Sequence, residues 1–161
     1  MDHLQHLKTH LLNLLDAEGA HINFDEAVRN FPRELRGLMP KGAPHSAWQL
    51  LEHMRIAQWD ILEFSRDAKH VSPNWPEGYW PASVAPPSES AWKKSVADFR
   101  RDLAEMKDLL KKASEEQLYA RIPHGEGQTL LRELLLVADH NAYHLGQLMY
   151  LRKMLESERS V

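Results

Sequence analysis

The sequence predicts an all-α protein built as a four-helix bundle. Four long stretches carry apolar residues at 3–4 spacing, strand-like alternation is nearly absent, and the breaks between stretches are rich in Pro and Gly. The chain has 161 residues, enough to bury a substantial core. No composition shift or repeat divides it, so residues 1–161 read as one bundle domain.

In the first helix, about residues 2–17, Leu4, Leu7, Leu11, Leu14 and Leu15 share one face, and Gly19 marks its end. Asn23 with Glu26 has capping-box spacing and opens a brief helix through Phe31, closed by Pro32. Residues 32–44 are a Pro/Gly-rich connector. Ser46 with Gln49 caps a second long helix, about 46–66, whose stripe is Leu50, Met54, Ala57, Ile61 and Phe64, with Trp48 and Leu51 beside it. Residues 67–87 hold five prolines (Pro73, Pro76, Pro81, Pro86, Pro87) and the aromatics Trp75, Tyr79 and Trp80, a density that forbids a helix. Ser88 caps a third helix, about 89–112, with Trp92, Val96, Phe99, Leu103, Met106 and Leu110 on its apolar face. Its Lys-rich end suits the negative pole of the helix dipole. A turn and a Gly-containing loop are expected over 113–128, and a fourth helix over about 129–156.

Short connectors make neighbouring helices antiparallel. The 67–87 segment is long enough to run the length of the bundle, leaving helices two and three parallel, so the expected order is up-down-down-up with a long crossover between them. The alternative is a simple up-down bundle with an irregular loop. A structureless loop of this length usually has a task. Its aromatics either fold over the open end of the bundle as a lid or pack across the outside as a strap.

Composition excludes several classes. No apolar run reaches the ~18 residues that a bilayer requires, and the N-terminus lacks the features of a secretory signal. The net charge of −3 provides no basic field for nucleic acid. Neither nucleic acid nor membrane is therefore an expected partner. There is no cysteine, which excludes disulfides, thiolate metal clusters and a cysteine nucleophile; a cytoplasmic location fits.

Ten histidines is a high count for this length. His140 and His144 stand one turn apart on a helix, flanked along their face by Leu136 and Leu151. That is how a helix offers two imidazoles to one metal, though i,i+4 pairs also arise by chance, and His6 with His10 is another. His53 lies between Leu50 and Ala57 on the core face of helix two. Taken alone it reads as a core histidine bonded to a carbonyl or carboxylate. Taken with the pair it completes a three-imidazole site whose fourth position is open, the pattern of catalytic zinc. Both readings stand on spacing. His3, His6 and His10 lie at the margin of the Leu stripe and read as a solvated face. His45, before the Ser46 cap, is a weaker candidate, and His21, His70 and His124 carry no spacing argument. Asp60, Glu133 and Gln147 share sides with the core histidines and are candidate orienting partners. Glu52 and Asp139 are about 100° off and should point elsewhere.

The segments HSAWQLLEHMRIAQWDILEF and LLLVADHNAYHLGQLMYLRKML resemble the DinB-like (DinB/YfiT-like) metalloenzyme superfamily, and VSPNWPEGYWP resembles a subgroup of it. The resemblance covers about residues 10–155. It implies an up-down-down-up four-helix bundle, often dimeric, that holds a divalent metal through His53, His140 and His144. Some relatives are transferases or isomerases that use low-molecular-weight thiols such as bacillithiol, mycothiol or glutathione.

A three-histidine site with a free position either activates water as a nucleophile or takes up a small thiol as its thiolate. All-nitrogen ligands suit zinc, nickel, copper, iron or cobalt and do not choose among them; the expected cofactor is a divalent transition metal, zinc or nickel. The function that the resemblance implies is a metal-dependent enzyme such as a small-thiol-dependent transferase, acting on a small-molecule substrate as a homodimer. The alternatives are a metal-dependent hydrolase and a non-catalytic metal-binding or dimerising bundle. No local motif names the substrate, and no catalytic side chain beyond the metal ligands stands out.

Overall fold

The structure, a computed structural model, describes residues 3–17 and 21–158. Those residues are all-helical, with six α-helices: α1 (His3–Leu15), α2 (Phe24–Val28), α3 (Ala47–Arg66), α4 (Glu89–Lys112), α5 (Glu115–Tyr119) and α6 (Leu130–Glu158). Two 3-10 turns, Arg33–Leu35 and Glu77–Tyr79, and one isolated bridge between Arg121 and Thr129 complete the regular structure. No described helix is long and apolar enough to cross a membrane.

The caps read from the sequence are formed. Asn23 with Glu26 and Ser46 with Gln49 close reciprocal capping boxes, and the Ser88 side chain accepts from Ala91 N–H, so the first amides of α2, α3 and α4 are satisfied. Two expectations change. The 113–128 loop contains a short helix, α5, opened by a third capping box between Ser114 and Gln117. In α1, Leu11 and Leu15 are buried but Leu14 is 51% exposed, because its Cβ lies beyond the stripe that the other two present. Helix α1 ends at Leu15; its expected terminator, Gly19, lies outside the described residues.

The core has two halves. One gathers Phe24, Phe31, Leu35, Trp48, Leu51, Met54, Trp92, Phe99, Leu148 and Leu155. The other gathers Leu11, Leu15, Leu62, Met106, Leu110, Leu118, Leu134 and Val137. Between Met54 and Ile61 on α3, and between Ala138 and Leu145 on α6, polar side chains join the buried set: Gln58 and Asp60 beside Ala57 on α3, and Asn141 on α6. Gln58 donates to the Phe99 carbonyl at 2.8 Å and accepts from the Asn141 amide at 2.9 Å. His53 and His144 are buried next to this layer.

The 67–87 segment contains no α-helix, as its prolines require. It is fastened to the start of α3, where Ser46 Oγ donates to the Val84 carbonyl and Trp48 Nε1 donates to Ser83 Oγ at 3.1 Å. Farther along α3, Asp60 accepts from Tyr79 Oη at 2.6 Å. The segment therefore lies along α3 and carries its aromatics to the polar layer.

Candidate metal centre

The Ser46 cap sets the start of α3, and two turns later His53 points into the core with 3% exposure. On α6, His140 and His144 rise one turn apart on the face that packs against α3. The three rings converge, with centroids 4.9 Å (His53–His140), 4.6 Å (His53–His144) and 4.5 Å (His140–His144) apart. One ring nitrogen from each lies within 4.8 Å of the other two, and among the described residues this is the one such group of histidines and carboxylates.

The second nitrogens decide what the first can do. His53 Nδ1 lies 3.0 Å from the Tyr79 carbonyl. A carbonyl only accepts, so Nδ1 carries the proton and Nε2 keeps its lone pair. His144 Nδ1 likewise donates to Gln147 Oε1 at 2.8 Å. His53 Nε2 and His140 Nε2 face each other at 3.1 Å. Two lone pairs at that distance require a shared proton or a shared cation. Four-coordinate zinc with ~2.05 Å bonds spaces its nitrogens at about 3.4 Å, close to this separation. The donor set therefore fits a transition metal.

Burial also favours neutral imidazoles, the form that ligates. Desolvation pushes His140 down to about 3, with His144 and His53 adding to the effect. Desolvation pushes His53 down to about 4, opposed by its bond to the Tyr79 carbonyl and assisted by His144 and His45. Burial lowers His144 too, against the pull of Gln147.

The sequence pattern of the DinB superfamily matches residues 16–148. This chain belongs to the DinB superfamily. The matched stretch contains all three converging histidines, so the local chemistry of this DinB-superfamily chain sits inside the region that defines its family. No curated protein and no solved structure matches the chain.

The other expected partners separate. Gln147 orients His144, as its position three residues on suggests. Asp60 does not touch His53; it accepts from His70 Nε2 at 2.7 Å and from Tyr79 Oη, and so reaches His53 only through the Tyr79 backbone. Glu133 is buried and paired with Arg132 at 2.8 Å, away from the histidines. Both carboxylates sit seven residues from the ligand they share a side with, about 10 Å along the helix axis, too far for a hydrogen bond. Glu52 pairs with Arg55 and Asp139 is exposed, so both point elsewhere as expected. His3, His6, His10 and His21 are exposed, and His124 bonds the Phe64 carbonyl.

Sequence reasoning named Tyr79 and Trp80 as part of a lid or strap, but missed the Tyr79 carbonyl as the partner of His53 and the stacking of Trp80 on that ring. The indole of Trp80 stacks on His53 at 3.9 Å with parallel planes, and on His45 at 3.9 Å. Of the three loop aromatics, Tyr79 and Trp80 serve the cluster, while Trp75 is 73% exposed and rests its edge on Tyr79. Their density in a proline-rich segment was the only signal.

Proposed function

We propose that this chain binds one divalent transition metal, zinc or nickel, through His53, His140 and His144, and serves as a metal-dependent transferase that uses a low-molecular-weight thiol. The observation that carries the reading is the 3.1 Å approach of the His53 and His140 Nε2 atoms, with a ring nitrogen of His144 within 4.8 Å of a nitrogen of each. The metal, when bound, supplies Lewis acidity that lowers the pKa of a thiol or water brought to it. The protein's own groups do the rest. The Tyr79 carbonyl and Gln147 Oε1 hold the Nδ1 protons of His53 and His144 and so keep two lone pairs aimed inward. Trp80 covers one face of His53 and keeps water from it. With no cysteine in the chain, the sulfur of such a reaction comes from a second molecule. The thiol sulfur bonds to an electrophilic carbon, the leaving group departs with its electron pair, and the thiol proton passes to solvent.

We also propose the up-down-down-up order of α1, α3, α4 and α6. Supporting contacts are Trp48 with Trp92, Gln58 with Phe99 and Arg66 with Glu105, which ascend together along α3 and α4. Lys8 bonds the Lys111 carbonyl and Asp16 pairs with Lys107, which descend, and Asn141 meets Gln58 while the Asp60 charge acts on Glu133.

The test is elemental analysis of untagged protein beside His140→Ala, followed by thiol-dependent consumption of an alkyl halide. One metal per chain, lost in the variant, with halide release that requires both metal and thiol, is the expected result. Metal retained by the variant contradicts the ligand set. Thiol-independent ester hydrolysis by the loaded protein favours the hydrolase reading.

A further inference from the structure

A cavity of about 300 Å³ opens between the connector before α3 and the last turns of α6; His45 and Gln147 line it, while His53, His140 and His144 do not. Its size is at the lower end of ligand pockets, about 300–1,000 Å³. Its floor is apolar: Leu50 from α3 with Leu151 and Met154 from α6. Its rim is not. Lys41 is the one charged side chain in the wall, and no carboxylate among the described residues lines the cavity. The Lys41 ammonium has no ion-pair partner among the described residues. Gln147, which also lines the cavity, spends its Oε1 on His144 and keeps its amide N–H groups as donors.

Two of these wall residues belong to the histidine cluster's surroundings. Gln147 holds His144, and His45 stacks on the indole that also stacks on His53. Three larger clefts among the described residues reach neither Gln147 nor His45. An apolar floor with a donor rim that contains one cation and no anion complements a small amphiphile with a single negative head. We propose that this cavity binds a small molecule with an apolar body and one carboxylate, and that this is the substrate class presented to the three-histidine site. The naming of the occupant as substrate rests on the metal reading; the binding itself does not.

The experiment uses 3-phenylpropanoate and its uncharged amide as probes, titrated into full-length protein in metal-free and zinc-loaded forms and followed by amide NMR shifts. The acid should saturate below about 10 mM, shift Gly42, Tyr150 and Met154, and bind about fivefold tighter than the amide. Lys41→Ala, at an exposed position, should erase that preference, and Met154→Trp should fill the cavity and abolish both. Equal binding of acid and amide, shifts that map elsewhere, or an unchanged preference in Lys41→Ala overturns the proposal. If the acid binds as described but zinc does not, the cavity assignment stands and the metal reading fails. If zinc binds and the acid does not, the reverse holds.

Discussion

A histidine whose Nδ1 proton is held by a carbonyl has one nitrogen left to offer, and that constraint organises the site. At the residue scale, Gln147→Ala removes the acceptor that orients His144, and metal affinity should fall about tenfold by isothermal titration while the fold is kept. Tyr79→Phe keeps the carbonyl that holds His53 but strands Asp60 Oδ2, so the expected loss is in stability, about 1–2 kcal/mol in denaturant melts. Acid should destabilise the metal-free protein. The folded pKa values of His53 and His140 are depressed, to about 4 and about 3, so the unfolded chain binds more protons below its own value near 6.5. Stability is then lost as pH falls from about 6.5 toward 4 for His53 and toward 3 for His140, by about 1–2 kcal/mol per histidine at pH 5. A flat stability profile between pH 7 and 5 contradicts this. The three histidines were legible in sequence because each sits in an apolar helical stripe. Asp60 was misread because a shared side says nothing of height: seven residues along the same face still separate two groups by two turns.

At the scale of the element, α3 depends on its first turn. Ser46 accepts from Gln49 N–H and also donates to the Val84 carbonyl. Ser46→Ala loses a cap and a tether together and should cost about 1–2 kcal/mol. Because the tether holds the segment that carries Tyr79 and Trp80, the variant should also bind metal more weakly. An unchanged metal affinity would mean that the segment keeps its path without Ser46. The long helices were legible because their apolar period repeats over several turns and their caps are local. Helix α5 was not, since five residues are too few for a period, although Ser114 and Gln117 had the capping spacing. The length of residues 67–87 suggested a crossover along the bundle, but not the contacts that fix its path. No periodicity governs it, and the bonds that fix it join Ser83, Val84 and Tyr79 to positions far away in sequence.

For the whole molecule, a polar layer flanked by the histidines separates two apolar half-cores, so binding there should be felt by both. Metal at one hundred times its dissociation constant should stabilise the fold by about 2.7 kcal/mol, read as a rise in melting temperature that His140→Ala lacks. Leu148→Ala, in the half-core beside the site and fully buried, should cost about 2–5 kcal/mol whether or not metal is present. The most direct measurement is anomalous diffraction, at the zinc and nickel edges, from crystals of untagged protein grown with metal. Three-histidine coordination predicts one peak within about 2.0–2.2 Å of Nε2 of His53, His140 and His144. A peak on the His3, His6 and His10 face instead, or none among these three rings, contradicts it.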